Sequence, residues 1–143
     1  MLVIRTAEPS DRVGVDQITE EFSDHGYSHA SSYFDNALIS QKILVAIEGG
    51  RIVGYLTHHI IWGNTPYIEL LRVTSLFQRK GVGLKLLSEL EKMLKAAKYE
   101  VLISSSERTN EVGNNFHKKS GFEPIGELDM IYGKEVFYKK VLI

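Results

Sequence analysis

The sequence contains no cysteine. This absence excludes disulfide bonds, a catalytic thiolate, a CxxC redox pair and a cysteine-ligated zinc site. Long apolar segments are also missing. A helix needs about 20 apolar residues to cross a bilayer, and no run in this sequence approaches that length. Residues 1–5 lack the basic segment and apolar run of a secretory signal. We therefore expect a cytoplasmic protein with no membrane partner.

An excess of charge of either sign is the next missing feature. The chain has 17 lysines and arginines against 18 aspartates and glutamates, which gives a net charge of -1. Nucleic-acid-binding domains are usually strongly basic, so we expect no nucleic-acid partner. Hydrophobic residues make up 43% and charged residues 24% of the chain, as in ordinary globular proteins. A length of 143 residues then predicts one compact domain that spans residues 1–143.

Apolar patterns alternate with turn signals along the whole chain. Helical spacing of apolar residues predicts helices near residues 11–23 and 84–97. A short helix is also expected near residues 30–40, and Asn110 as N-cap with Gly121 as the stop predicts another over residues 110–119. Shorter apolar runs between turn signals predict strands at residues 2–6, 43–48, 52–61, 67–74, 101–105, 122–132 and 135–141. The three strands from 43 to 74 would form an antiparallel meander, whereas the strand–helix–strand order that follows implies a parallel crossover. The sequence therefore predicts a mixed α/β fold.

The segment Gln78-Arg79-Lys80-Gly81-Val82-Gly83 lies between a predicted strand and the best-defined helical pattern. The first N–H groups of a helix have no intrahelical acceptor and lie at the positive end of the helix dipole, so they bind anions. Glycine lets a ligand approach the backbone, because no Cβ stands in the way. The segment, called the glycine loop below, therefore predicts a phosphate-binding site.

Three kinds of phosphate ligand use such loops. A P-loop would follow its glycine with lysine and a hydroxyl residue, but Gly83 is followed by Leu84 and Lys85. A dinucleotide-binding fold would have a third glycine where this chain has Leu86, and its loop would follow the first strand. The third ligand is coenzyme A.

The glycine loop and a second segment together resemble the GNAT superfamily of N-acetyltransferases. The central GNAT motif is Gln/Arg-x-x-Gly-x-Gly/Ala after a strand ending in valine, and this chain has Val73 followed by residues 78–83 in that form. The second motif combines an asparagine, a small residue, an aromatic pair and Gly-Phe. This chain matches it with Asn110, Gly113, Phe116-His117 and Gly121-Phe122. The resemblance covers essentially the whole chain, and it implies a mostly antiparallel sheet that splays between strands 4 and 5, flanked by about four helices.

The resemblance implies acetyl-CoA as a co-substrate and assigns its contacts to three places. The backbone of the fourth strand would bond the pantetheine arm, and the glycine loop would hold the pyrophosphate. The asparagine of the second motif would approach the cofactor, cap its helix, or do both. The residues concerned are Leu71, Arg72, Val73, Gln78, Arg79, Lys80, Gly81, Val82, Gly83, Leu84 and Asn110.

Acetyl transfer to an amine requires a neutral nucleophile, a polarised thioester carbonyl and a leaving thiolate. Glu69 is the candidate base, because its even spacing from Leu71 and Val73 puts all three on one strand face. Polyamine acetyltransferases of the family have a glutamate at a similar position. The alternative is a partly buried structural glutamate. The expected oxyanion donor is the backbone N–H near Val73, following the family pattern.

The family usually has tyrosine at the second aromatic position of the second motif, whereas this chain has His117. An imidazolium with an ordinary pKa of about 6.5 could protonate the leaving thiolate as a general acid. Neutral imidazole could instead donate a hydrogen bond to the sulfur, or His117 could only pack. The sequence leaves these alternatives open.

Acidic residues at the end of the first helix, and an aromatic and histidine-rich segment after it, predict the acceptor site. The residues are Glu21, Asp24, Tyr27, His29 and Tyr33. We expect them to attract a small-molecule amine or a peptide N-terminus. The alternative is a solvated helix face followed by a surface helix–loop–helix with scattered aromatic residues. No spacing of histidines and carboxylates suggests a metal site, so we expect none.

The expected activity is that of an acetyl-CoA-dependent N-acetyltransferase, which moves an acetyl group to a primary amine by direct attack in a ternary complex. A non-catalytic acyl-CoA sensor with the same fold is the alternative. The closing strands, residues 122–141, could also supply the edge of a homodimer.

Overall fold

A computed structural model describes residues 1–22 and 31–143 of the chain. Its strands are β1 (Val3–Thr6), β2 (Ile43–Glu48), β3 (Arg51–Ile61), β4 (Thr65–Val73), β5 (Val101–Glu107), β6 (Glu123–Met130) and β7 (Gly133–Val141). The α-helices of the described residues are α1 (Arg12–Glu21), α2 (Ser31–Ile39), α3 (Val82–Ala96) and α4 (Glu111–Lys119), and short 3-10 helices occupy Pro9–Asp11 and Ser75–Phe77. The predicted order of elements is confirmed.

The strands form one seven-stranded sheet in the order β1-β2-β3-β4-β5-β7-β6. β4 and β5 are parallel, because α3 carries the chain back between them, and the other strand pairs are antiparallel. The register between β4 and β5 consists of one residue pair, Tyr67 with Ile103. The mixed α/β sheet is therefore confirmed, with β4 and β5 paired over a very short length.

The start of α3 differs from the sequence prediction by two residues. The helix begins at Val82, so Val82 and Gly83 belong to its first turn. Gly81 has a φ of 81°, and its carbonyl accepts the N–H of Lys85 at 3.0 Å. The periodicity of leucines predicted a start at Leu84 because the earlier residues include glycines, which are poor helix formers.

The chain divides into two compact units, and the first contains Met1–His58 and Leu70–Leu90. Its core is built from α1, α2 and the first strands, and it consists of Ala7, Val15, Ile18, Phe34, Ile43, Val45 and Tyr55. In the same unit α3 buries Leu86, Leu87 and Leu90 completely, whereas Leu84, where the spacing of leucines predicted the helix to start, is 55% exposed.

Close packing of α1 makes Gly14 a sensitive position. A Cβ at Gly14 would lie 2.7 Å from Cδ1 and 3.0 Å from Cβ of Ile52. Alanine usually stabilises a helix interior by about 1 kcal/mol relative to glycine. Here the added methyl must push Ile52 aside, so we expect Gly14→Ala to lower the free energy of unfolding by about 1 to 2 kcal/mol in urea titrations.

The exposed helix position Gln17 supplies the control for this prediction. Gln17→Ala adds helix propensity without a close contact, so its unfolding midpoint should stay level or rise. If the unfolding midpoint of Gly14→Ala rose as much as that of Gln17→Ala, Ile52 would accommodate the methyl group without cost.

The second unit contains His59–Glu69 and Glu91–Ile143. Its buried apolar residues include Leu94, Leu102, Phe122, Tyr138 and Leu142. A half-buried ion pair joins α3 to β7, where Nζ of Lys140 lies 2.9 Å from Oε2 of Glu91.

The strand order leaves β6 at one end of the sheet, and all eight of its residues are exposed. A homodimer through this edge stays a prediction. No helix of the described residues is long and apolar enough to span a membrane.

Candidate functional site

The glycine loop has the backbone geometry of an anion site. Arg79 and Gly81 both have left-handed φ angles, 61° and 81°, which turn the chain sharply into α3. A Cβ at Gly81 would meet no atom within 4 Å, so the backbone there faces open space. The first N–H groups of α3 need acceptors from outside the helix. Nearby, Lys80 places its ammonium 5.4 Å from the ring centre of Phe77. A phosphate group fits this arrangement of backbone donors and positive charge.

The side chain of Gln78 fastens the glycine loop to β4. Its Nε2 donates a hydrogen bond to the carbonyl of Val73 at 2.9 Å. Directly after that residue, the N–H of Thr74 donates to the carbonyl of Val53 at 2.9 Å. Sequence reasoning assigned Gln78 only a backbone role, so this contact was missed. The first position of the GNAT central motif therefore fixes the loop to the end of the strand.

Arg72 directs its guanidinium to aromatic residues of the first unit. Its Nη1 donates to the hydroxyl of Tyr55 at 3.1 Å, and the guanidinium carbon lies 5.3 Å from the ring centre of Phe22. Burial raises the pKa of Tyr55, which therefore stays protonated. The predicted strand-like contact of Arg72 with a cofactor is a backbone contact, and it does not require this side chain.

Two predicted acceptor residues make contacts within the first unit. Glu21 accepts the hydroxyl proton of Thr74 at 2.7 Å and the backbone N–H of Ser75 at 3.2 Å, so it caps a 3-10 helix. Tyr33 donates its hydroxyl to Oγ1 of Thr57 at 2.8 Å. Both residues therefore stabilise the first unit, and their role toward an acceptor stays a prediction. The other three predicted residues, Asp24, Tyr27 and His29, lie outside the described residues.

His117 is buried in the second unit, and both ring nitrogens have partners. Nδ1 lies 2.6 Å from the carbonyl of Gly113, and Nε2 lies 2.7 Å from Oγ of Ser104. A carbonyl only accepts, so Nδ1 carries the proton and the serine hydroxyl donates to Nε2. The ring also stacks on Tyr138, with centres 4.5 Å apart and an interplanar angle of 7°.

Burial lowers the pKa of His117 below its ordinary value of 6.5, and the hydrogen bond to Gly113 opposes this shift only in part. The imidazole is therefore neutral near pH 7. These contacts favour the packing interpretation of His117 over an imidazolium that protonates a thiolate.

The second GNAT motif also has a structural basis at Asn110 and Gly113. Asn110 precedes α4 and accepts the N–H of Gly113 at 3.0 Å, so it is the N-cap that the sequence predicted. A Cβ at Gly113 would lie only 2.3 Å from Oγ of Ser106. The small residue of the motif is therefore required by the close approach of α4 to β5.

Asn114 is a structural residue that sequence reasoning missed. Its amide nitrogen donates to the carbonyl of Glu107 at 3.0 Å and to that of Asn110 at 2.8 Å. Its amide oxygen accepts the hydroxyl proton of Tyr138 at 2.7 Å. Asn114 thereby holds the turn before α4 against β7. Tyr138 lies 24 residues away in the sequence, so spacing alone contains no signal for this role.

Glu69, the predicted base, is half-buried on β4. Its Oε2 is shielded from solvent, has no hydrogen-bond partner among the described residues, and lies 3.9 Å from Nδ1 of His59. The ring of His59 also lies 5.4 Å from that of Tyr67. Glu69 therefore has an imidazole beside it and an unbonded oxygen.

A second carboxylate, Glu135 on β7, was missed from the sequence. It is 8% exposed and accepts hydrogen bonds from Oγ of Ser105 at 2.6 Å and from the hydroxyl of Tyr132 at 2.9 Å. The same serine oxygen lies 2.8 Å from the hydroxyl of Tyr67. The pairing of β5 with β7 brings these residues together across about 30 residues of sequence. The signal that could have pointed to Glu135 is an acidic residue directly before the apolar and aromatic run of residues 136–138.

The part of the chain that the structure describes contains no group of three or more His, Cys, Asp or Glu side chains placed to hold a metal ion.

Comparisons with known proteins identify the fold. The family model for the acetyltransferase (GNAT) family matches residues 13–122. No protein of curated function matches the sequence significantly.

Solved structures resemble the chain over nearly its full length. The Ard1 protein of Thermoplasma volcanium is 16% identical, with a TM-score of 0.87 over 99% of this chain and 98% of that chain. The ribosomal-protein-S18-alanine N-acetyltransferase of Escherichia coli is 15% identical, with a TM-score of 0.84 over 99% and 94%. The PaiA N-acetyltransferase of Thermoplasma acidophilum, solved with coenzyme A, is 20% identical, with a TM-score of 0.81 over 99% of each chain.

Proposed function

Because this chain belongs to the GNAT acetyltransferase family, we propose that it is an N-acetyltransferase that moves an acetyl group from acetyl-CoA to a primary amine by direct attack in a ternary complex. The sequence has no cysteine, so a thioester intermediate on the protein is excluded. Direct transfer needs no protein nucleophile. We also propose that residues 1–143 form one functional domain.

The observation that carries the proposal is the glycine loop at the start of α3. Left-handed backbone at Arg79 and Gly81 leaves open space in front of the first helical N–H groups. We assign the pyrophosphate of acetyl-CoA to the backbone of residues 78–84, with Arg79 and Lys80 adding positive charge. The contact of Gln78 with Val73 supports this role, because it holds the loop in one place.

The remaining cofactor contacts are proposed from the resemblance to the family. The backbone of Leu71, Arg72 and Val73 would bond the pantetheine arm, and the side chain of Arg72 is already engaged with Tyr55. Asn110 would approach the cofactor, and its amide oxygen also accepts the N–H of Gly113 at the start of α4. Acetyl-CoA supplies an activated acyl group, and the chain supplies binding, orientation and proton transfer.

A primary amine is the proposed acceptor, either on a small molecule or at a peptide N-terminus. One solved neighbour is named for the acetylation of an alanine of a ribosomal protein, which is an amine on a protein. We propose that Glu21, Asp24, Tyr27, His29 and Tyr33 border the acceptor. Glu69 is the carboxylate that the sequence proposes as the base for the amine. His117 contributes through packing rather than as an acid.

An acceptor screen tests the proposed function directly. Wild-type protein and acetyl-CoA are incubated with polyamines, amino acids and short peptides, and free CoA thiol is measured together with the mass of the product. We expect CoA release that depends on one amine class and an acetyl group on its nitrogen. Saturable acetyl-CoA binding without turnover on any amine would favour the alternative, a non-catalytic acyl-CoA sensor.

A further inference from the structure

A chain of hydrogen bonds in the second unit runs from Tyr67 on β4, through Ser105 on β5, to Glu135 on β7. The oxygen–oxygen distances are 2.8 Å and 2.6 Å. A carboxylate can only accept, so the single hydroxyl proton of Ser105 points to Glu135, and Tyr67 must donate to Ser105. The direction of the chain is therefore fixed. The tyrosine oxygen keeps its lone pairs for a donor that approaches from outside.

Glu135 is a buried carboxylate that has no positive partner within residues 1–22 and 31–143. It is 8% exposed, and no lysine, arginine or histidine among the described residues forms an ion pair with it. Two hydroxyl groups, from Ser105 and Tyr132, satisfy its oxygens but do not neutralise its charge. Burying a charge without an opposite charge is costly, and such groups cluster where function requires them. A proton that originates on the ammonium group of a substrate would neutralise this charge.

We infer that Glu135 is the final acceptor of the proton that the amine substrate loses, and that this proton travels through Tyr67 and Ser105. The inference rests on the proposed N-acetyltransferase function. Tyr67 is the residue in contact with the amine, whereas Ser105 and Glu135 act through it and are positioning residues.

The proton balance of the step is simple. The ammonium gives one proton to Oη of Tyr67 while the tyrosine proton passes to Ser105 and the serine proton passes to Oε2 of Glu135. The neutral amine then forms the N–C bond with the thioester carbon, and the C–S bond breaks with its electron pair on sulfur. The second amine proton ends on that thiolate, which gives the free CoA thiol. Glu135 later returns its proton to solvent.

The groups around the chain of hydrogen bonds suit a relay. Burial, followed by the charges of Glu135 and Glu69, raises the pKa of Tyr67, although the bond to Ser105 opposes the shift. Tyr67 therefore stays protonated and passes a proton on instead of storing one. The other titratable neighbours are His59 beside Tyr67, Tyr132 at the carboxylate, and Glu107 opposite Glu135 in the β5–β7 register.

Tyr132 also connects Glu135 with solvent. Its hydroxyl donates to Oε1 of Glu135, and the residue lines an open depression of about 420 Å³ together with Glu107 and Lys134. Glu69, by contrast, has an unbonded Oε2 and no such hydrogen-bonded path among the described residues. We therefore assign Glu69 the attraction of the ammonium and Glu135 the acceptance of the proton.

The test measures kcat as a function of pH for the wild type and for single variants. The substrate is the amine that the acceptor screen identifies. Glu135→Gln keeps the shape and one acceptor oxygen, and its amide nitrogen can donate to the hydroxyl oxygen that loses its acceptor, so the variant should fold and bind acetyl-CoA normally. Its kcat near pH 7 should fall about 100-fold. The rate should recover as the pH rises toward the pKa of the amine, about 10, because free amine then forms without a base.

Two variants of Ser105 test the path of the proton. Ser105→Ala should reproduce the loss and its recovery at high pH, and Ser105→Thr, which keeps the hydroxyl, should restore the wild-type profile.

Glu69→Gln should raise KM for the amine with little change in kcat. Glu123→Gln removes an exposed carboxylate on β6 and should leave the profile unchanged.

The outcomes separate this inference from the proposed function. An active wild type whose profile is unaffected by Glu135→Gln overturns the relay and leaves the N-acetyltransferase intact. A pH-dependent loss of kcat in Glu69→Gln alone has the same consequence and makes Glu69 the base. A wild type that binds acetyl-CoA but acetylates no amine removes the proposed function, and the relay with it.

Discussion

Gly81→Val is expected to weaken acetyl-CoA binding by about 30- to 100-fold, which corresponds to about 2 to 3 kcal/mol. Gly81 has a φ of 81°, a left-handed conformation that a β-branched residue adopts only at considerable cost. The valine must either rearrange the loop or place its side chain in the open space before the first N–H groups of α3. Both results remove donors from the proposed pyrophosphate site. Isothermal titration of the variant with CoA measures the change.

The chain offers a matched control at Gly49, in the turn between β2 and β3. Gly49 has a φ of 59°, and a Cβ there also meets no atom within 4 Å. Gly49→Val therefore imposes a similar backbone strain without approaching the glycine loop. We expect a comparable loss of stability but unchanged CoA affinity. Equal losses of CoA affinity in both variants would show that strain, and not position, explains the effect.

His117→Ala is expected to lower the free energy of unfolding by about 3 kcal/mol. The substitution removes the ring that stacks on Tyr138 and leaves the hydroxyl of Ser104 without its partner in a buried position. Urea unfolding measures the loss. His59→Ala is the control, because the side chain of His59 is 42% exposed, and we expect a change below about 0.5 kcal/mol there.

The lowered pKa of His117 also predicts a pH dependence of stability. Below about pH 6.5 the unfolded chain binds a proton at this histidine before the folded chain does. The stability contributed by neutral His117 is therefore present above about pH 6.5 and is lost as the pH falls through the folded pKa.

His117→Gln has no such titration. The stability advantage of the wild type over this variant should therefore shrink between about pH 7 and about pH 5. Because packing is the proposed role, kcat of a folded His117→Gln should stay within about threefold of the wild type. An unchanged stability with a large loss of kcat would restore the general-acid interpretation.

The GNAT motifs were readable from the sequence because they combine local backbone chemistry with fixed spacing. The glycine loop needs left-handed backbone at Gly81, and the second motif needs an N-cap at Asn110 and a small residue at Gly113. Each requirement concerns residues a few positions apart, so the residue types alone reveal it. The order of strands and helices followed from apolar periodicity for the same reason.

Contacts between residues far apart in sequence were not readable in this way. The partners of His117, the capping role of Glu21 and the guanidinium contacts of Arg72 depend on how helices and strands pack. A side chain that looks like a titrating group or an acceptor contact in the sequence can be satisfied inside the fold instead. Burial and hydrogen bonding decide between these uses, and neither is encoded in spacing.

The sequence by itself determined the family of this protein and the place of its glycine loop. Both depend on local backbone conformation, which glycine, asparagine and apolar spacing report directly. Only the tertiary structure decided which polar side chains meet. The antiparallel pairing of β5 with β7 places Glu135 beside Ser105, and the short parallel pairing of β4 with β5 adds Tyr67. Strand register across the sheet sets these contacts, and no local pattern specifies it.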